Sequence, residues 1–281
     1  MNIAVSSLAF TGKSAEEIIA IAQKEKLVLE FSSGMPFRRD MEELFLKAPI
    51  KKLPHNYFPS PEIPFVLNLA SSNFEIRNRS VLHCINGIRL ASLAGAPFFS
   101  AHAGFCVDPN PAELGKKLVQ SAVIDKQTNW IYFIDSLNKI MTQADHYAVD
   151  FCIENNVIAQ MNLYENGFNP LFCCNDLEMI QIVKEVNHPR LGILLDTGHL
   201  KVSSQTLNFL PEPSLINILP YVKAIHHSDN DGIFDTNDPI NNNYWFLKFM
   251  KKFENTFHVL EVRNQNISQI HLQINLLKSS I

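Results

Sequence analysis

The sequence lacks the features that mark a membrane protein or a secreted, disulfide-bonded domain. Its 281 residues contain no apolar run close to the roughly 20 residues that span a bilayer. The N-terminus has no positively charged residues ahead of a continuous apolar stretch, so it does not resemble a signal peptide. Five cysteines form an odd set without Cys-x-x-Cys spacing, which indicates reduced thiols. We therefore expect a soluble, cytoplasmic protein with no membrane partner.

An excess of charge of one sign is missing as well. The formal net charge is −4, which gives no general attraction to phosphate backbones, so a nucleic-acid partner is not expected. Hydrophobic residues make up 46% of the chain, enough for a substantial core. We find no β-hairpin signal, low-complexity segment, repeat or linker. One domain over residues 1–281 is the expectation, and assembly into a homo-oligomer stays open.

Apolar runs and helical patterns alternate along the chain. Strands are predicted at residues 3–9, 27–31, 51–58, 98–101, 148–153, 192–195, 221–225 and 257–262. Helical patterns lie between them, at 111–122, 126–147 and 244–253 among others, with short helices or turns over 201–220. Eight such units favour an α/β fold of the (β/α)8 TIM barrel type. An open doubly wound sheet is the alternative, but the first strand is followed only by Thr11-Gly12-Lys13, which is not a phosphate-binding loop.

Ionisable side chains lie at the ends of most of the predicted strands: Glu30, His55, His102, Glu154, Asp196, His199, His226 and Glu261. In a barrel these ends form one mouth, so the side chains should converge. Many ionisable groups in one cavity repel or lose hydration unless a cation neutralises them, which indicates a divalent metal. Taken singly, a strand-end acid often caps the next helix, and Glu30 can simply pair with a neighbouring base. Strand alternation lets only one of His226 and His227 face the cavity.

Several segments together resemble one known superfamily. The Glu154-Asn155-Asn156 triplet, the LLDTGHL segment ending at Leu200, the HHSDNDG segment beginning at His226 and Glu261 within Leu-Glu-Val are similar to the last four strands of xylose isomerase-like TIM barrels. LPHNY around His55 and AHAG around His102 extend the resemblance over nearly the whole chain. That superfamily contains sugar and sugar-phosphate isomerases and epimerases together with the endonuclease IV type of DNA-repair nuclease.

The resemblance implies a metal site and a set of roles. One divalent ion, Mn²⁺, Co²⁺, Mg²⁺ or Zn²⁺, would be held by Glu154, Asp196, His226 and Glu261, since a mixed oxygen and nitrogen set suits all of these metals. The two glutamates would also be catalytic, moving protons on opposite faces of the sugar. The substrate would be contacted by His55, His102 and His199.

The expected activity is metal-dependent isomerisation or epimerisation of a sugar or sugar phosphate by proton transfer through an enediolate. Lys201 or Arg263 could meet a phosphate or carboxylate. The alternatives are an endonuclease IV-like zinc phosphoesterase acting on abasic DNA, and a non-catalytic sugar-binding barrel. The nuclease branch holds three zinc ions and uses an Asp-x-His pair where this chain has Asp235-Thr236-Asn237, and an amide is a far poorer zinc ligand than imidazole.

Overall fold

Eight parallel strands form a nearly closed barrel in the computed structural model, which describes residues 3–113, 115–118 and 124–281. The strands are β1 (Ile3–Ser6), β2 (Val28–Phe31), β3 (Lys52–Pro54), β4 (Phe98–His102), β5 (Asp150–Glu154), β6 (Leu191–Asp196), β7 (Val222–His227) and β8 (Phe257–Leu260). Their order around the sheet is β3-β2-β1-β8-β7-β6-β5-β4. The predicted (β/α)8 TIM barrel is therefore confirmed.

The β3–β4 seam, where the barrel closes, is its least extensively paired junction. In the part of the chain that the structure describes, β3 and β4 meet through one isolated bridge between His55 and Ser100. The Asn56 N–H donates to the Ser100 carbonyl oxygen at 2.6 Å, and the His55 N–H donates to the Phe31 carbonyl oxygen of β2 at 2.9 Å. By contrast, β4 pairs with β5 over five residue pairs.

Within the described residues, eight α-helices surround the strands. They are α1 (Ala15–Glu25), α2 (Met41–Lys47), α3 (Phe74–Ala94), α4 (Lys126–Tyr147), α5 (Asp176–Val186), α6 (Thr197–Leu207), α7 (Pro211–Ile218) and α8 (Ile267–Ser279). Local sequence explains several of their ends: Ser14 and Glu17 form a capping box at the start of α1, and Asn175 caps α5. No helix within the described ranges is long and apolar enough to cross a membrane.

A few elements differ from the sequence-based expectation. The first strand ends at Ser6 rather than at residue 9, because the chain turns into a 3-10 segment, Ser7–Phe10, tied to β2 by a hydrogen bond from Ser32 N–H to Ser7 Oγ at 3.0 Å. The helix expected at 244–253 is a 3-10 segment, Leu247–Phe253. Of the helix expected at 111–122, the structure shows a 3-10 turn, Pro111–Glu113, and residues 114 and 119–123 lie outside the described residues.

Apolar side chains fill the space between strands and helices, and their packing sets the distance between each helix and the sheet. Phe99 on β4 and Phe151 on β5 have no exposed surface. Gly87 of α3 lies over the Phe99 ring, and a Cβ there would lie 2.3 Å from a ring carbon. Only glycine therefore lets α3 lie this close to β4. This packing holds the carboxyl ends of the strands, and the polar side chains on them, in one mouth.

Candidate active site

Four side chains from consecutive strands meet at the carboxyl end of the barrel: Glu154, Asp196, His226 and Glu261. We call them the four-residue group. Glu154 and Asp196 are the last residues of β5 and β6, His226 lies on β7 in register with Asp196, and Glu261 directly follows β8. All are buried, and one donor atom of each lies within 4.8 Å of the donor atoms of the others. The structure thus brings the predicted metal set together.

The donor atoms of this group fit a divalent cation. His226 Nδ1 lies 2.8 Å from Glu261 Oε2, 3.5 Å from Glu154 Oε1 and 3.9 Å from Asp196 Oδ2. One buried carboxylate oxygen that faces the group, Asp196 Oδ2, has no hydrogen-bond partner among the described residues. Burying such an atom unpaired costs free energy that a cation would recover. The oxygen and nitrogen donors suit several divalent metals without selecting one.

Their lowered pKa values keep the two glutamates ionised at neutral pH, whereas the raised pKa of Asp196 favours its protonated form. Burial acts to raise the pKa of Glu154, but His102 and His55 hold it well below its usual range. Burial also acts to raise the pKa of Glu261, but the neighbouring His226 outweighs burial and lowers this pKa to about 2. Burial raises the pKa of Asp196 to about 8, a shift that His199 opposes. A cation in the group would favour the ionised form of Asp196.

Asp196 has a second role, as the N-cap of α6. Its Oδ1 accepts a hydrogen bond from the His199 N–H at 2.7 Å, which leaves Oδ2 for the four-residue group. Asn155 holds the Asp196 backbone, because its Nδ2 donates to the Asp196 carbonyl at 3.0 Å and its Oδ1 accepts from the Asp196 N–H at 2.7 Å. The sequence pattern carried no signal for this role of Asn155. Residues 201–220 contain the short helices that were expected, since α6, which Asp196 caps, ends at Leu207 and α7 spans Pro211–Ile218.

Glu30 of β2 lies behind His226. Its Oε2 is 3.0 Å from His226 Nε2, and both side chains have no exposed surface. Burial acts to lower the pKa of His226, but Glu30 and Glu261 raise it well above its ordinary value. The carboxylate of Glu30 holds a proton on Nε2, so when a cation displaces the other proton, Nδ1 is the atom that offers the cation a lone pair. Glu30 therefore pairs with a neighbouring base, which is one of the two roles that its position in the sequence allowed.

We expect replacement of Glu30 by Leu to weaken the binding of Mn²⁺ by about 10–100-fold, because His226 would lose the partner that fixes its tautomer. Glu30→Gln keeps an acceptor of similar shape and should lose less affinity. Calorimetric titration of the metal-free proteins with Mn²⁺ measures both, and thermal unfolding checks that the variants are folded. Equal affinity in the wild type and a folded Glu30→Leu variant would contradict the assignment.

A second group of donors shares Glu154. Glu154 Oε2 lies 3.3 Å from His55 Nε2 and 3.6 Å from His102 Nε2, and the three residues offer donor atoms within 4.8 Å of one another. Ser100 Oγ orients the His55 ring by a 2.9 Å contact with Nδ1. The His102 side chain is 28% exposed, and its Nδ1 has no partner within the described residues. Glu154 therefore faces the four-residue group with one oxygen and two imidazoles with the other.

His199 is placed beside both groups, with its ring nitrogens engaged by the protein. Nδ1 donates to the Asn155 carbonyl oxygen at 2.8 Å, and Nε2 is 3.3 Å from Asp235 Oδ2. Burial acts to lower the pKa of His199, but Asp196 and Asp235 raise it well above its ordinary value. Its ring stacks on His102 with centroids 5.4 Å apart. His199 is thus an ion-pair partner of Asp235 at the mouth.

The departure from the nuclease pattern at Asn237 has a structural counterpart. Asn237 is buried in the left-handed region, with φ of 49°, and its Oδ1 accepts a hydrogen bond from Arg263 Nε at 3.3 Å. The amide that replaces an imidazole is therefore bound to a guanidinium. Lys201, considered for a substrate phosphate, pairs with Asp229 at 2.7 Å.

His227 lies on the opposite face of β7 from His226, within a buried chain of hydrogen bonds. His258 Nε2–H donates to the Phe253 carbonyl oxygen at 3.0 Å, so His258 Nδ1 must accept from His227 Nε2–H at 2.8 Å. His227 Nδ1 in turn accepts from the Tyr244 hydroxyl at 3.1 Å. Burial lowers the pKa of both histidines, to about 4 for His258, so both are neutral. The Phe253 carbonyl oxygen thus fixes the direction of each hydrogen bond from His258 through His227 to Tyr244.

Replacing His258 by Phe should lower the free energy of unfolding by about 1–3 kcal/mol, because His227 Nε2–H would be buried without an acceptor. Urea denaturation followed by circular dichroism gives the value. The matched control is the His227→Phe/His258→Phe double variant, which removes both partners and should recover part of the loss. If the loss of stability in the double variant equals the sum of the losses measured for His227→Phe alone and His258→Phe alone, the two imidazoles are not coupled.

Comparison with known proteins gives the family. Residues 10–278 match the family described as xylose isomerase-like TIM barrel. A probable endonuclease 4 of Mesomycoplasma hyopneumoniae (strain J) is 25% identical over 176 residues, which are 59% of this chain and 52% of that protein. The chain spans about half the length of the endonuclease relatives that it matches.

Solved structures with the same fold include sugar epimerases. A D-tagatose 3-epimerase-like protein superposes with a TM-score of 0.74 at 18% identity, covering 100% of this chain and 97% of the other. A D-psicose 3-epimerase from Clostridium cellulolyticum H10, solved with D-tagatose, gives 0.65 at 17% identity over 100% and 95% of the two chains. At these identities the likeness shows the fold alone. Because the family match covers nearly the whole sequence, the chain belongs to the xylose isomerase-like TIM barrel family.

Proposed function

We propose that the protein is a divalent-metal-dependent isomerase or epimerase that acts on a sugar or sugar phosphate. The observation that carries the proposal is the four-residue group, in which three buried carboxylates and one imidazole offer donor atoms within 4.8 Å of one another at the mouth of the barrel, and Asp196 Oδ2 has no hydrogen-bond partner among the described residues. The names of the solved neighbours, D-tagatose 3-epimerase-like protein and D-psicose 3-epimerase, point to the same chemistry.

The proposed roles follow from the protonation states and positions of the side chains. When held by Glu154, Asp196, His226 and Glu261, a divalent ion would polarise a sugar carbonyl and its adjacent hydroxyl, which acidifies the neighbouring C–H bond. Glu154 and Glu261 both have lowered pKa values, so at neutral pH each is a carboxylate that can accept a proton. We assign Glu154 to proton transfer at one face of the sugar and Glu261 to the other.

The three histidines of the mouth are proposed to position the sugar and Glu154. His102 is the most exposed of them and has an unpaired Nδ1, so it can exchange a hydrogen bond with a sugar hydroxyl. His55 holds Glu154 Oε2 in place at 3.3 Å. His199 is proposed to act on the sugar through Asp235, which it holds by an ion pair, because both of its ring nitrogens are already engaged by the protein.

Isotope exchange tests the proposal across many sugars at once. Protein loaded with Mn²⁺, Co²⁺, Mg²⁺ or Zn²⁺ is incubated in D₂O with a panel of ketoses and ketose phosphates, and proton NMR follows the loss of C–H signals. We expect exchange next to the carbonyl of at least one sugar, and none after treatment with a chelator. A metal-loaded protein that exchanges no member of the panel would sink the proposal.

The second candidate is a zinc phosphoesterase acting on abasic DNA, favoured by the group His55, His102 and Glu154 and by the endonuclease 4 relatives. Metal content separates the two. About three zinc ions per chain, with nicking of an abasic duplex, would favour the nuclease, and one exchangeable ion would favour the isomerase. The bond between Asn237 and Arg263 supports the isomerase, because it engages the amide that stands where the nucleases have a zinc-binding imidazole.

A further inference from the structure

A cavity of about 530 Å³ opens beside the candidate active site. Its walls come from the segments that follow β2, β3, β4 and β5, and His102 belongs both to its lining and to the group around Glu154. A cavity of this size falls within the range that buries ligands of drug size. The cavity therefore offers space for a substituent attached to a sugar that lies at the four-residue group.

The wall of the cavity is mainly apolar and has little charge. Its apolar side chains include Tyr57, Phe65, Leu67, Phe105, Val157 and Leu171. Among the lining residues that the structure describes, Lys116 is the one lysine or arginine, and no carboxylate takes part. Phosphate binds best to several cationic or backbone N–H donors. This wall thus suits an uncharged group better than a phosphate.

The aromatic side of the cavity is held rigid by contacts within the protein. The Phe65 N–H donates to the Tyr57 hydroxyl at 2.6 Å, and the two rings lie 5.5 Å apart. The Arg79 guanidinium lies 4.3 Å from the centre of the Phe65 ring and donates to the Ile63 carbonyl oxygen at 3.0 Å. A preformed aromatic surface binds a ring without paying to order its own side chains.

The inner end of the cavity is polar and has unused hydrogen-bonding capacity. Asn56, 9% exposed, has an Oδ1 without a partner among the described residues, and His102 Nδ1 is likewise unpaired there. Asn56 is held in place because its N–H donates to the Ser100 carbonyl oxygen. Buried acceptors without donors favour a ligand that brings a hydroxyl group to them. The lining thus combines unpaired polar atoms on Asn56 and His102 with an apolar surface that includes Phe65.

We infer that this cavity binds the uncharged aryl or alkyl group of a glycoside whose sugar ring carries a keto group and lies at the four-residue group. The inference rests on the proposed function for the sugar half of the ligand. Binding affinity should therefore depend on the substituent of the sugar. A glycoside with an apolar group would bind more tightly than a free sugar or a sugar phosphate, because only the apolar group removes the wall from water.

Binding of three non-reacting probes tests the inference. Mn²⁺-loaded protein is titrated by calorimetry with phenyl β-D-glucopyranoside, methyl β-D-glucopyranoside and glucose 6-phosphate. We expect the phenyl glycoside to bind at least about tenfold more tightly than the methyl glycoside, from the apolar area that the ring buries. Equal affinities, tighter binding of the phosphate, or no binding of the phenyl glycoside at millimolar concentration would overturn the inference.

Two cavity variants and one control locate the site. Phe65→Ala removes an aromatic face while keeping the backbone bond to Tyr57, and Val157→Phe fills the cavity from the loop after β5. Both should abolish the preference for the phenyl probe. Phe74→Ala, an exposed phenylalanine at the start of α3 and outside the lining, should leave it unchanged.

A phenyl preference that survives in two folded cavity variants would place the ring elsewhere and refute the inference. Failure of the proposed function would look different, because it would abolish isotope exchange and leave the phenyl preference intact.

Discussion

Replacement of Glu154 by Gln is expected to slow deuterium exchange into the sugar by about 10²–10⁴-fold, the usual contribution of a positioned general base. Glu154 is buried, ionised at neutral pH and in contact with both groups of donors in the mouth. A neutral amide cannot accept the proton and is a weaker partner for a cation. The rate is measured by NMR in D₂O with the best ketose of the panel.

The matched control for this variant is Glu165→Gln, which removes an exposed carboxylate from the loop after the same strand. It should keep wild-type exchange. Metal content of the Glu154→Gln protein, measured by atomic emission, separates loss of the base from loss of the ion. Unimpaired turnover in a folded Glu154→Gln protein would remove Glu154 from the mechanism.

Replacement of Glu261 by Gln should give a loss of the same order, about 10²–10⁴-fold, but with a different dependence on the substrate. If each glutamate serves one face of the sugar, each variant retains the base for the other face. Glu261→Gln should then still exchange the proton of one epimer, and Glu154→Gln that of the opposite epimer. Parallel exchange experiments with the two epimers of the active sugar, on both variants, measure this pattern.

Glu254→Gln, which changes an exposed residue just before β8, is the control for effects of lost charge near that strand. The crossed pattern would be absent if a single carboxylate performed both transfers. In that case one variant would lose exchange with both epimers and the other would lose neither.

Sequence alone could locate most of the site because residues that are far apart in the sequence lie close together at the strand ends of a barrel. Glu154, Asp196 and His226 directly follow predicted apolar runs, Glu261 lies one residue before the end of another, and parallel strands bring all such ends to one mouth. Strand alternation also predicts that His226 and His227 face opposite ways, and the two side chains do lie on opposite faces of β7. These predictions needed only the positions of the strands, which buried apolar runs mark clearly.

The partners of these residues could not be predicted in the same way, because they depend on which side chains meet across the barrel. Glu30 and His226 are far apart in sequence yet only 3.0 Å apart at their nearest atoms. The contact between His199 and Asp235 depends on the course of the polar loop after β7, which has no periodic pattern. The cavity beside His102 is likewise built from loops whose conformation no repeat of apolar residues encodes.

The two sides of the mouth differ in how extensively their strands are paired, and the β3–β4 seam is the sparsely paired side. The four-residue group comes from the neighbouring strands β5 to β8, whose continuous pairing keeps the four donor atoms in fixed relation to one another. The apolar cavity adjoins the seam, where one bridge alone joins its described edges. We expect any opening at this junction to leave the spacing of the reacting carboxylates unchanged, because Glu154, Asp196 and Glu261 are held on other strands.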